Sequence, residues 1–174
     1  AVLHGGPSFA AALIKSRANA DPQRWSERYL GFLTAANQAP QVLRYMRQHG
    51  TNKRLPTKLR SNFADRLVAS GHKQSAIEIL QVLVDTEGLY SPALSTLTYL
   101  WGPRPGRDAV TWIERHANAA SGINLIAWTD ILMSVGASDR AIALLRPNTV
   151  AKQSNPLQLE AYVQALQATR NKAE

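Results

Sequence analysis

The chain has no cysteine among its 174 residues. Disulfide bonds, thiolate catalysis and cysteine-based zinc sites are therefore excluded. No apolar run approaches the ~18–20 residues that a helix needs to span a bilayer, so no membrane insertion is predicted. The first residues, AVLHGG, are too short for a signal peptide and lack its basic start. We expect any targeting segment to lie outside this sequence.

Catalytic and metal-binding motifs are also missing. The stretch HGGPS at 4–8 lacks the Lys-Ser/Thr ending of a phosphate-binding loop, and no Gly-x-Ser-x-Gly elbow occurs. The carboxylates are scattered along the chain, and His4, His49, His72 and His116 are far apart in sequence. We therefore predict a non-enzymatic protein with no cofactor and no bound metal.

Acidic residues are scarce in the first half of the chain. Residues 1–73 carry twelve Lys+Arg against three Asp+Glu, a net charge of +9, whereas residues 74–174 carry eight against nine, a net charge of −1. The run 44–60 contains six basic residues and no acid: Arg44, Arg47, Lys53, Arg54, Lys58 and Arg60. Two readings stay open, a solvated face and a basic patch. The second predicts docking of an acidic protein surface or an anionic glycan.

Helix start signals are abundant. Hydrophobic residues make up 45% of the chain and charged residues 18%, with Ala and Leu dominant, which favours an all-α fold. A polar cap followed by proline, as in Asp21-Pro22, Ser91-Pro92 and Asn155-Pro156, is typical of a helix start. One set of helices is predicted to begin near 21, 56, 91, 122 and 155, and a second near 7, 40, 72, 106 and 138. Both sets repeat about every 33 residues, which indicates repeated helical hairpins.

The stretch YLWGPRPGRDAVTWIERHA at 99–117 shows what separates two such helices. Gly102 is predicted to end the first helix, the two prolines prevent its continuation, and Gly106 precedes the next helix. The corner is interpreted as a structural turn without chemistry of its own.

Small residues recur at the same place in these hairpins. Ala76 and Ala141 each follow a glycine by five residues, and Ala109 takes the same place after the corner at 102–106. Large apolar residues follow at Leu80, Ile113 and Leu145. This pattern resembles the tetratricopeptide repeat, a 34-residue helix-turn-helix unit. The resemblance implies an all-α solenoid of about four to five antiparallel hairpins, although the small residue of the first helix, Ala64, becomes Leu97 and Thr129 in the next two repeats.

The repeats are predicted to form one domain over 1–174. The expected hairpins span approximately 21–50, 56–86, 91–119 and 122–150, with unpaired helices at 7–18 and 155–172. Because the pattern starts and stops in the middle of a repeat, we expect a segment of a longer array. It resembles the periplasmic repeat regions of Gram-negative exopolysaccharide export proteins. That resemblance implies the periplasm, while a cytoplasmic location stays open.

The expected function is a protein–protein interaction scaffold whose first helices line a concave binding face. Seven residues are predicted on that face: Arg24, Glu27, Lys58, Asp65, Thr98, Trp101 and Asp130. The other three tryptophans, Trp25, Trp112 and Trp128, are interpreted as packing residues. Two alternatives stay open: the solenoid arm of a cell-wall enzyme such as a lytic transglycosylase, and a helical repeat that binds nucleic acid.

Overall fold

The computed structural model describes residues 5–150 and 155–170, and this part of the chain is all-α with no strand. Ten helices are present in the described ranges. The first five are α1 (Pro7–Ala20), α2 (Pro22–Ala35), α3 (Ala39–Gly50), α4 (Thr57–Ala69) and α5 (Lys73–Glu87). The next five are α6 (Pro92–Trp101), α7 (Arg107–Ala119), α8 (Gly122–Ser134), α9 (Ser138–Val150) and α10 (Pro156–Arg170).

Every one of these helices begins within two residues of a predicted start. Local chemistry explains the agreement. Pro22 occupies the first turn of α2, where a missing N–H costs nothing, and the Asp21 carboxylate accepts the backbone N–H of Arg24 at 3.2 Å. At the corner in 102–106, Gly102 follows the last residue of α6 with φ +74°, a left-handed conformation that a side chain disfavours. The predicted end of α6 at Gly102 and the predicted start of α7 after Gly106 are confirmed.

The chain divides into two compact units, Ala1–Leu94 and Ser95–Glu174, and the boundary falls inside α6. In the first unit, each of the helices α1 to α4 packs on the helix that follows it, and α3 also contacts α5. In the second unit, α7, α8 and α9 each pack on the next helix, and further contacts join α7 to α9 and α8 to α10. Contacts between a helix and its second neighbour therefore occur in both units.

Buried side chains lie at the positions that the repeat pattern marks. The small residues Ala76, Ala109 and Ala141, on α5, α7 and α9, are all buried. The residues that follow them by four positions, Leu80, Ile113 and Leu145, are buried as well. The first-helix residues at the next marked position are also buried: Ala64, which keeps the family pattern, and Leu97 and Thr129, which depart from it.

Gly50, the last residue of α3, shows how close the packing is. A Cβ atom built on this residue would overlap the side chain of Ile79 on α5. The contact between α3 and α5 therefore leaves no room for a side chain at position 50.

Candidate functional site

The predicted concave-face residues of the first unit lie on α2 and α4. Arg24, Glu27, Lys58 and Asp65 are all exposed. Glu27 Oε2 accepts a 2.6 Å hydrogen bond from Arg66 Nη2, which joins α2 to α4 by an ion pair. Glu27 therefore links two helices.

Lys58 and Asp65 are seven residues apart on α4, so they share one helix face. Lys58 borders an open groove of about 370 Å³ that lies between α4, the end of α5 and the start of α6. Glu87 borders the same groove. Hydrogen bonds from the Thr57 and Ser91 hydroxyls hold the pKa of Glu87 below its ordinary value.

The predicted residues of the second unit lie on α6 and α8. The Thr98 hydroxyl donates to the backbone carbonyl of Ser95 at 2.9 Å, which is a local contact within α6. Asp130 is exposed and borders a groove of about 190 Å³ between α8 and α10, together with Glu160. Partial burial raises the pKa of Asp130 above its ordinary value, because the charged carboxylate is less well solvated there.

Three tryptophans form an aromatic cluster in the second unit. Trp112 and Trp128 are 8% and 4% exposed, which confirms their interpretation as packing residues. Their ring centroids are 5.9 Å apart in an edge-to-face arrangement, and the His116 ring stacks on Trp128 at 4.8 Å. Trp101, the predicted binding residue, is partly exposed and packs edge-to-face on Trp112 at 5.5 Å.

Five of the six residues of the predicted basic patch are exposed, and we call them the basic surface: Arg44, Arg47, Lys53, Arg54 and Lys58. They lie on α3, on the segment that joins α3 to α4, and on the first turn of α4. Arg47 Nη2 approaches Glu78 Oε2 at 3.9 Å, a long and exposed ion pair.

Arg60, the sixth predicted residue, is not on the surface, which corrects the sequence-based expectation. Its side chain is 1% exposed, and its Nε donates to the backbone carbonyl of Gly50 at 2.9 Å. The guanidinium thus meets the carbonyl end of α3, where the helix dipole favours a cation. Burial lowers the pKa of Arg60, and the nearby charge of Glu87 opposes that shift.

A sequence signal for the burial of Arg60 was present. Arg60 precedes Phe63, Ala64 and Leu67 by three, four and seven residues, so it lies on the same stripe of α4 as these buried side chains. Because arginine is charged, its residue type favours a surface position, although the helix pattern places Arg60 on the buried stripe of α4.

An apolar groove lies next to the basic surface. It has a volume of about 320 Å³ and is bordered by Val42, Leu43 and Met46 of α3 and by His72. Leu43 also borders a second shallow groove together with Arg44 and Arg47. One face of α3 therefore presents apolar and cationic side chains side by side.

Three positive charges lie around Trp25, for which the sequence pattern predicts only a packing role. Trp25 is partly exposed, and three guanidinium groups lie over its ring. The Cζ atoms of Arg17, Arg24 and Arg28 are 5.4, 5.6 and 5.6 Å from the ring centroid. The spacing Arg24-Trp25-x-x-Arg28 was a local signal for part of this cluster, which we call the Trp25 cluster.

Within the described ranges, no group of three or more His, Asp or Glu side chains is arranged to hold a metal ion, and His4 lies outside them. No helix in the same ranges is both long and apolar enough to cross a bilayer. No protein-family model, curated protein or solved structure matches this chain.

Proposed function

We propose that this chain is a non-catalytic interaction scaffold of stacked helical hairpins, and that its basic surface docks an acidic partner protein. The observation that carries the proposal is the face of α3, where Leu43 borders both the apolar groove and a second groove that is lined by the exposed Arg44 and Arg47. Apolar side chains supply contact area, and the surrounding charges select an acidic partner and speed its association.

Contacts between second-neighbour helices support the stacked arrangement. Such contacts occur in both units, and the Glu27–Arg66 ion pair joins the first helices of two successive repeats. Turns of successive hairpins also lie together. Asn37 and Gln38 border the same groove as Ser70 and His72, and the corner at 103–105 borders a groove with the turn at 135–137. A solenoid of tetratricopeptide-like repeats has this pattern of neighbours.

The charge of the first unit supports the choice of partner. Residues 1–94 carry twelve Lys+Arg against six Asp+Glu, a net charge of +6, and residues 95–174 carry eight against six, a net charge of +2. Helix packing does not require the excess of positive charge in residues 1–94. An exposed positive field attracts acidic partners, and added salt weakens the attraction.

The proposed setting is the periplasm, in the secretion or assembly of an exopolysaccharide. The absence of cysteine and the resemblance to periplasmic repeat regions support this setting. Fractionation of the native host with an antibody against the chain tests it. Recovery in the cytoplasmic fraction would overturn this part of the proposal.

The docking test compares two variants with the same net charge. The first replaces four residues of the basic surface, Arg47, Lys53, Arg54 and Lys58, with Glu. The control replaces four exposed arginines of the second unit, Arg104, Arg107, Arg146 and Arg170, with Glu. Each set lowers the formal net charge from +8 to 0. Circular dichroism must first show that both variants keep their helicity.

Three probes are titrated into each protein: polyglutamate, polygalacturonate and single-stranded oligouridylate. We expect polyglutamate affinity to fall by about tenfold or more in the basic-surface variant and by less than about twofold in the control. The affinity should also decrease between about 50 mM and about 200 mM salt. Equal losses in the two variants would show that only net charge matters. If polygalacturonate or oligouridylate binds more tightly than polyglutamate, and the basic-surface variant loses that binding, the partner is a glycan or an RNA and the proposed protein partner is wrong.

A further inference from the structure

The Trp25 cluster gathers three positive charges at one hairpin of the first unit. Arg17 is in the last turn of α1, Arg24 and Arg28 are on α2, and Asp21 alone separates the two helices. Each guanidinium carbon is at most 5.6 Å from the Trp25 ring centroid, so no two of them are more than about 11 Å apart, which is twice that distance. The indole attracts each cation through its π face and so holds the three side chains together.

The carboxylates nearest in sequence are engaged elsewhere. Asp21 Oδ1 accepts the backbone N–H of Arg24 at 3.2 Å, where it caps α2. Glu27 Oε2 pairs with Arg66 at 2.6 Å. Across residues 5–150 and 155–170, no carboxylate forms an ion pair with Arg17, Arg24 or Arg28. Three like charges thus stay close together without an ion pair to any carboxylate of the described ranges.

We propose that the Trp25 cluster is a second docking site on the first unit, which binds an acidic peptide segment of the partner protein. The inference rests on the proposed function and names a further contact of the same partner. A carboxylate between two guanidinium groups accepts charge-assisted hydrogen bonds from both and relieves their mutual repulsion. Arginine suits this role because its planar donor pairs match the two oxygens of a carboxylate.

The spacing of the arginines indicates which peptides fit. Arg24 and Arg28 are four residues apart on α2, which corresponds to about 6 Å along the helix axis. The guanidinium carbons are at most about 11 Å apart, and carboxylates one turn apart on a helix, at about 5–6 Å, or two residues apart on an extended segment, at about 7 Å, lie within that limit. Arg17 on α1 provides a third contact. An acidic segment with two or three Glu or Asp residues at these spacings matches the cluster.

The guanidinium groups that lie over the Trp25 ring favour a peptide ligand over a nucleic acid. Single-stranded nucleic acids bind proteins largely by stacking bases on aromatic rings. Guanidinium groups already lie over this ring, so a nucleobase would compete with them for the same π surface. A carboxylate accepts hydrogen bonds from the N–H groups along the guanidinium edges, so it does not compete for the ring face.

The test uses a labelled hexaglutamate peptide and titration calorimetry at about 50 mM salt, where charge contacts are weakly screened. One variant changes Arg17, Arg24 and Arg28 to Gln, and its control changes Arg104, Arg107 and Arg170 to Gln, so that both lose three charges. We expect at least about a tenfold loss of affinity in the cluster variant and less than about a twofold loss in the control. Equal affinities of the two variants would overturn the site.

A third variant changes the same three arginines to Lys and keeps the net charge. We expect about a threefold or larger loss of hexaglutamate affinity, because Lys lacks the planar pair of donors. If the Lys variant binds hexaglutamate as tightly as the unmodified chain does, the planar donor pairs of arginine are not needed for binding. Tighter binding of oligouridylate than of hexaglutamate, lost in the Gln variant, would assign the site to nucleic acid and overturn the peptide.

The basic-surface variant separates this inference from the proposed function. Loss of hexaglutamate binding in that variant alone, with binding kept in the Gln variant of the cluster, would reject the second site and leave the docking surface on α3 intact. Unchanged binding in both variants would reject both.

Discussion

Trp25 in the first unit and Trp128 in the second have different environments. Trp128 is 4% exposed and packs edge-to-face with Trp112 in an aromatic core. Trp25 is partly exposed and is surrounded by the guanidinium groups of Arg17, Arg24 and Arg28. The second unit uses indole rings to fill space, whereas the first uses one ring to gather charge. The comparison teaches that the same residue type has different roles on two helices of one chain, α2 and α8.

Removal of the two rings is expected to separate these roles most clearly. Trp128→Ala leaves a large cavity and should lower the free energy of unfolding by about 3–5 kcal/mol. Trp25→Ala should cost about 1 kcal/mol, because the ring is partly in solvent and its cation–π contacts are exposed. Urea denaturation followed by circular dichroism measures both. Equal costs would contradict the distinction between the two units.

Arg60→Ala should have the next largest effect. It removes a buried charged donor from the Gly50 carbonyl, and we expect a loss of about 2 kcal/mol in unfolding free energy. The control Arg54→Ala, on the exposed segment between α3 and α4, should change it by less than about 0.5 kcal/mol. Arg60→Met retains much of the side-chain volume, so a similar loss there would assign the effect to the hydrogen bond. A stable Arg60→Ala variant would show that the Gly50 carbonyl needs no partner.

The buried His49 should make the stability of the first unit depend on pH. It is buried and its ring contacts the Tyr45 ring at a centroid distance of 4.3 Å. Burial lowers its pKa below the ordinary value of 6.5, so as the pH falls below about 6.5 the unfolded chain takes up the proton first. The contribution of His49 to stability is therefore present above that pH and decreases from pH 7 towards pH 5.

The titration of Glu87 does not interfere with the pH range in which His49 is tested. Its pKa is held below the ordinary value of 4.5, so its contribution is lost only as the pH falls further. The measured quantity is the difference between the urea midpoints of unfolding at pH 7 and at pH 5. We expect this difference to be smaller in His49→Phe than in the unmodified chain. The exposed His72 provides the control His72→Gln, which should keep the original pH dependence. An unchanged dependence in His49→Phe would reject the assignment.

The ion pair between Glu27 and Arg66 should give the smallest effect. Both side chains are about half exposed, at 52% and 46%, so solvent screens the pair. A double-mutant cycle with Glu27→Gln and Arg66→Gln should give a coupling energy of about 0.2–1 kcal/mol that decreases with salt. A much larger coupling would mean that this contact between α2 and α4 contributes strongly to the stability of the first unit.

The sequence predicted the helices well because their starts depend on local chemistry. Asp21 and Pro22 define the start of α2 without help from the rest of the chain, and Gly102 ends α6 in the same way. The burial of Ala76 and its equivalents followed from the repeat spacing. These features need only neighbouring residues, which a single sequence displays directly.

The charged residues were harder to place because their environment depends on contacts between helices. Arg60 was expected on the surface by its residue type, but the stripe of α4 that it shares with Phe63 faces the core. Arg17 approaches Trp25 only because α1 packs on α2. A sequence lists the charges, but helix packing decides which of them meet solvent and which meet each other.

The distribution of tryptophans gives the two units separate optical signals. Trp25 is the single indole in 1–94, and Trp101, Trp112 and Trp128 all belong to 95–174. Indole emission shifts to the red in water, so Trp25 should emit at longer wavelength than the buried Trp112 and Trp128. Trp101 is also partly exposed, so a Trp101→Phe variant leaves Trp25 as the one partly exposed indole of the chain. In that variant the red edge of the native emission band reports on the first unit, and the blue edge on the second, without any added dye.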